Sequence, residues 1–103
     1  MMHALLLKHK TLPGKRAEVE KIWRKHMISA VDSNKDHLVY VYNFGQDDDE
    51  IWAFQVYQSK EAASEFLSHP TYLKYLEASR PLLAGEPNIE VLDPRWIKGM
   101  EVS

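Results

Sequence analysis

Apolar residues gather first at Ala4-Leu5-Leu6-Leu7, followed by Lys8 and His9, a short run that reads as a strand. Pro13-Gly14 marks a turn. From Lys15 the period changes. Val19, Ile22, Trp23, His26, Met27 and Ala30 recur at spacings of three and four, one face of a helix, while Lys15, Arg16, Glu18, Glu20, Lys21, Arg24 and Lys25 fill the other. The polar stretch Asp32-Ser33-Asn34-Lys35-Asp36 ends that helix.

His37 to Phe44 (HLVYVYNF) and Ile51 to Gln58 (IWAFQVYQ) are rich in β-branched and aromatic residues and predict two strands. The polar turn Gly45-Gln46-Asp47-Asp48-Asp49-Glu50 joins them as a hairpin. Ser59 offers an N-cap hydroxyl, and Ala62, Ala63, Phe66 and Leu67 follow at helical spacing. His69-Pro70 then interrupts the helix. A residue before proline avoids helical backbone, whereas proline suits the first turn of a helix. The pair therefore predicts a joint, with a second helical segment from Pro70 to about Leu83 and Tyr72, Leu73, Leu76 and Leu82 facing inward. Gly85 and Pro87 close it. Ile89, Val91 and, as a further candidate, Trp96 belong to a last strand and tail.

The order is β-α-β-β-α-β. It predicts one α+β domain over residues 1–103 with the ferredoxin-like split βαβ arrangement, a four-stranded antiparallel sheet with helices on one face. A sheet with one wet face should alternate apolar and polar residues. Leu5-Leu6-Leu7, Leu38 to Tyr42 and Ile51 to Phe54 are instead apolar on both sides. The face opposite the helices then needs a cover, and a second copy of the chain about a two-fold axis is the simplest one. The expectation is a homodimer, a dimeric α+β barrel.

Composition narrows the chemistry. With 45% apolar and 27% charged residues the chain is ordinary globular material. Thirteen Lys and Arg lie dispersed among fifteen acids, leaving no basic stripe for nucleic acid. No cysteine is present, which removes disulfides, thiolate metal sites and a cysteine nucleophile. No apolar run approaches the ~20 residues of a membrane-crossing helix, and the N-terminal run is too short for a signal-peptide core. These features predict a soluble, cytoplasmic protein. The histidines lack metal-ligand spacing, and Asp47 to Glu50 lacks the spaced ligands and central glycine of a calcium loop, so no metal is expected.

The early Pro13-Gly14-Lys15 turn, the strand-to-helix junction AFQVYQSKEAASEFLSHPTY and the ending PLLAGEPNIEVL resemble the antibiotic biosynthesis monooxygenase domain. The resemblance covers nearly the whole chain. It implies a dimeric α+β barrel and a cofactor-free oxygenase that oxidises a quinol or aromatic phenol with O2. The family often places a Glu and a Trp two residues apart near the end of its third strand, where Gln55 and Tyr57 stand here, and a His on its second helix, where Phe66 stands. Haem-degrading relatives use an Asn, a Trp and a ligating His at the positions of Leu7, Tyr57 and Leu76, so haem degradation is not expected.

Four residues are candidates for catalysis. Tyr57 holds the strand-three aromatic position, and Gln55 shares its face by period two. His26 lies on the apolar stripe of the first helix, and His69 sits at the helix joint; neutral imidazole accepts a proton near pH 7. Trp23, Trp52, Phe66 and Tyr72 are candidates to line a pocket for a flat ring. Each has a plainer alternative. Tyr57 is equally a packed sheet aromatic, His26 a helix-end cation favoured by the dipole, His69 a solvated cap, and the aromatics core or interface. His3, His9 and His37 read as surface or strand-end residues. Two functions therefore stand: a cofactor-independent monooxygenase acting on a small aromatic substrate, or a non-oxidative ligand-binding or isomerase-type barrel, including a stress-associated protein without catalysis.

Overall fold

A turn carrying Gly14 at φ 77° passes the chain from β1 (His3–Lys10) into α1 (Arg16–His26), and glycine is at ease in that left-handed backbone. After these come α2 (Ile28–Ser33), β2 (His37–Phe44), β3 (Glu50–Tyr57), α3 (Lys60–Leu67) and α4 (Pro70–Ser79). A 3₁₀ turn (Arg80–Leu82) leads to β4 (Asn88–Leu92). The computed structural model describes residues 1–100 of the 103.

The sheet runs β2-β3-β1-β4 with every neighbouring pair antiparallel. This is the ferredoxin-like order that the split βαβ pattern predicts. Register places residues in rows on the face under the helices. Leu5, Gln55 and Tyr40 form one row, and Leu7, Ala53 and Tyr42 the next. Trp23, Met27, Ala62, Ala63, Phe66, Tyr72 and Tyr75 close over these rows as the core. Ala53 is the small member at the centre, and large aromatics lie around it.

Two helical expectations change. The first helix does not continue to Ala30; it breaks at Met27, whose backbone remains helical in sense (φ −104°, ψ −37°) while its side chain is buried. α2 follows as a separate short segment and buries no residue completely. In α4 the inward stripe is Tyr72, Tyr75 and Ser79, and Leu73 is half exposed. Spacings of three and four from Tyr72 lead to Tyr75, Leu76 and Ser79, which puts Leu73 on the outer side.

The hairpin between β2 and β3 is fixed from α1. The Arg16 guanidinium donates to the carbonyls of Gly45 (3.1 Å) and Asp47 (3.0 Å) and lies 4.0 Å from the centre of the Phe44 ring. A Cβ at Gly45 would come within 2.8 Å of the Glu50 Cβ. The acidic turn is thus held by main-chain acceptors as well as by charge.

On the opposite face register places Leu6, Val39, Val41, Trp52, Phe54 and Val56. The segment after β4 crosses part of it, and Pro94, Trp96 and Ile97 with Ala4, Val39 and Phe54 enclose a hollow of about 340 Å³. Trp96 is itself 77% exposed, so the tail covers this face incompletely.

Candidate functional site

The chemistry-bearing residues collect between the sheet and the helices, around the far ends of β2 and β3. Gln55 and Tyr57 are both buried and point to one face, as period two requires. The Tyr57 hydroxyl donates to Gln55 Oε1. Burial pushes the Tyr57 phenol well above its ordinary range, with the nearby Tyr40 and Tyr72 adding to the effect. Tyr57 is therefore a protonated donor at any physiological pH and not a base.

His37 is the residue that the alternation pattern conceals. It pairs with Tyr57 across β2 and β3, whereas Val39 already pairs with Val56. Three residues of β2, from His37 to Val39, thus face two of β3. This bulge inserts Leu38 and shifts the parity of everything before it. Tyr40 and Tyr42 face the core by period two; without the bulge Leu38 would join them and His37 would point to the other side. The imidazole instead stacks on Tyr57 with ring centres 4.2 Å apart and meets the edge of Phe66 at 4.9 Å. It is only 8% exposed, and among the described residues neither ring nitrogen has a hydrogen-bond partner. Burial pushes its pKa down to about 4, and Gln55 opposes this in part without forming a bond of ordinary geometry. His37 does stand at the start of β2, but its ring is buried, which corrects the surface expectation.

His9 is corrected likewise. Leu5, Leu7 and His9 share the inner face, and His9 is 3% exposed with Nδ1 unpartnered. Its ring meets Tyr75 edge-on at 6.0 Å, and burial lowers its pKa to about 4. The hydroxyls of Tyr42 and Tyr75 are also buried and unpartnered. Tyr75 stands three residues after Tyr72, a spacing that could have marked it as inward from the sequence.

Two clefts flank α2. One, of about 510 Å³, lies between α2 and the α3–α4 joint and is lined by His26, Ala30, Asn34, Phe66, His69 and Thr71 among others. It brings His26 and His69 to the same opening. His69 is the N-cap of α4, in extended backbone, and its Nδ1 accepts the Thr71 amide hydrogen at 3.1 Å. That nitrogen is engaged by the helix terminus. The other cleft, of about 620 Å³, lies between α1–α2 and β2. Its apolar wall is Trp23, Ile28, Val31, Tyr40 and Tyr42, with His37 at one end and Arg24, Asp32 and Lys35 at the rim. Trp23 Nε1 donates to the Tyr40 hydroxyl at 3.1 Å, and its ring lies 4.2 Å from that of Tyr42. The His37–Phe66 contact separates the two clefts beneath α2.

The eight sequence candidates divide accordingly. Gln55, Tyr57, Phe66 and Tyr72 pack together in the buried layer, Trp23 enters the second cleft, and His26 and His69 border the first. Trp52 stands apart on the opposite sheet face, with Lys8 Nζ 5.1 Å from its ring centre and its Nε1 donating to Glu50 Oε1.

Neither a protein-family model nor a curated protein sequence matches the chain. Solved structures do. Rv0793 from Mycobacterium tuberculosis superposes with a TM-score of 0.84 at 22% identity, covering 96% of this chain and 100% of that one. A candidate antibiotic biosynthesis monooxygenase from Chloroflexus aurantiacus J-10-fl gives 0.73 at 27%, covering 96% and 100%. A variant of SnoaB, a cofactor-independent oxygenase from Streptomyces nogalater, gives 0.77 at 15%, covering 96% and 98%. The chain thus has the fold of structures described as antibiotic biosynthesis monooxygenases.

Proposed function

We propose, from this shared fold and from the aromatic cleft beneath α2, that the chain is a cofactor-independent monooxygenase acting on a small planar phenol or quinol. The observation that carries the proposal is the wall formed by Trp23, Tyr40 and Tyr42, which opens beside the buried Gln55–Tyr57 pair. Three rings tilted against one another make an aromatic wall on which another flat ring can lie. Chemistry of this type asks little of the protein. An anthrone-like substrate gives up a methylene proton to solvent and the electron-rich anion reacts with O2, that proton and the second methylene hydrogen ending in the water formed. One oxygen atom becomes the new carbonyl and the other leaves as water, so the substrate supplies all the electrons.

The chain's own residues would position and desolvate the ring. Tyr57 stays protonated, donates its hydroxyl hydrogen bond to Gln55, and supports the floor of the chamber through its stacking on His37. Ile28 and Val31 from α2 exclude water above it. The same reading includes a cytoplasmic homodimer packed through the sheet face that bears Val41 and Phe54. The alternative, a non-oxidative binding or isomerase-type barrel, is supported by Gln55 and Tyr57, which are already satisfied by each other.

Oxygen consumption separates the two. Purified protein is incubated with quinols and anthrone-like phenols after chelation of metals. Acceleration above the spontaneous rate, reduced at least tenfold in Trp23→Ala, supports oxygenation. No acceleration with any ring compound favours the non-oxidative function.

A further inference from the structure

Two buried polar groups with no partner among the described residues border the same cleft. His37 offers two free ring nitrogens, and Tyr42 a free hydroxyl. Buried polar groups are nearly always paired, and leaving one unpaired carries a cost of about 1–3 kcal/mol. Two such groups at one opening are therefore a mark of something they are built to meet. Between them runs a chain of rings: His37 to Tyr40 at 5.1 Å, Tyr40 to Trp23 at 5.5 Å and Trp23 to Tyr42 at 4.2 Å. The polar ends are separated by an apolar wall, the layout of a site for a flat molecule with polar atoms at both ends.

We infer that His37 and Tyr42 are the hydrogen-bonding residues of this cleft, His37 accepting from a hydroxyl on the bound ring and Tyr42 donating to an acceptor at its other end. The inference rests on the proposed aromatic substrate and adds the chemical pattern which that substrate must carry. A hydroxyl alone leaves Tyr42 unmet, and a carbonyl alone leaves His37 unmet. Neither group is reached by solvent in this conformation, so entry of a ligand displaces α2, which completely buries none of its residues.

The role given to His37 is that of an acceptor and not of a proton store. The groups facing it are Tyr40 and Tyr57, both held protonated by burial, the edge of Phe66, and the Gln55 side chain, with Arg24, Asp32 and Lys35 at the rim. Among the described residues no carboxylate touches the ring to stabilise an imidazolium. A neutral imidazole accepts at one nitrogen and leaves its second as a donor.

The test uses 6-hydroxy-1-tetralone, which carries a phenol and a ketone on a two-ring frame, and its methyl ether, which lacks the donor. Binding is read by tryptophan fluorescence and calorimetry. Wild type should prefer the phenol about tenfold. His37→Phe should bind both equally, and His37→Gln, which keeps an acceptor, should recover part of the preference. Tyr42→Phe should weaken both about fivefold. If a substitution disturbs folding, ¹⁵N resonances of the His37 ring in the unaltered protein should move with the phenol and not with the ether. Equal binding of phenol and ether by wild type, or a preference that survives in His37→Phe, overturns the assignment. If neither tetralone binds while quinols still consume O2, the assignment fails and the oxygenase proposal stands. If neither binds and no O2 is consumed, both fail.

Discussion

Tyr57 and Gln55 stand two residues apart on β3 and are joined by one hydrogen bond. Their shared face is legible from period two alone, because the strand between them is regular. Their bond decides what a substitution does. Tyr57→Phe leaves Gln55 Oε1 buried without a donor, so a loss of about 1–3 kcal/mol is expected in chemical denaturation. Gln55→Leu added to Tyr57→Phe should recover much of it, since removing both partners leaves nothing unpaired. His9 and His37 set the pH dependence. Both are lowered from 6.5 to about 4. The unfolded chain therefore binds protons that the folded chain refuses, and stability present above pH 6.5 drains away as pH falls toward 4. For His9 alone the loss at pH 5 is about 2 kcal/mol. Thermal melts between pH 7 and 4.5 should show the fall, and His9→Phe should flatten it; a melting temperature constant over that window would contradict the burial of both rings. His9 was readable from the Leu5-Leu7 alternation. His37 was not, because a one-residue bulge reverses parity and no glycine marks it.

Elements follow local rules more faithfully than residues do. Pro70 made the α3–α4 joint legible, because proline fixes its own backbone and restricts the residue before it. The joint has a second component visible only in three dimensions, the His69 Nδ1 that accepts from Thr71. Histidine competes there with better N-cap residues. His69→Ala should cost about 1 kcal/mol and His69→Asp should restore stability, measured as shifts in denaturation midpoint. Ser59, which accepts from the Ala62 amide at 3.1 Å, should behave alike on replacement by Ala. An unchanged midpoint in His69→Ala would mean that the cap contributes nothing and would return His69 to the list of chemical candidates. The break at Met27 left no comparable trace. Neither glycine nor proline stands there, and the apolar spacing runs straight through it. The break arises from tertiary demand, in which Met27 fills the core while α2 spans the distance to β2.

For the whole molecule, the strand order was legible because β-α-β-β-α-β has few chemically sensible closures. The second sheet face sets the assembly, and Val41 is the residue that tests it. Val41 is 45% exposed beside Phe54 and Val39, on a face that the tail covers only in part. Monomers seldom expose a contiguous apolar patch of this kind, and a two-fold copy would bring the same residues against themselves. The proposed homodimer therefore predicts a sedimenting species of twice 12.0 kDa at micromolar concentration. Val41→Glu supplies the control. In a monomer it is a surface change worth no more than about 0.5 kcal/mol. In a two-fold interface it places two like charges near the axis without partners, which is strongly unfavourable. The expected result is a folded variant of 12.0 kDa with an unchanged circular dichroism spectrum. A wild-type chain that already sediments as 12.0 kDa would overturn the dimer and leave the tail as the only cover of that face.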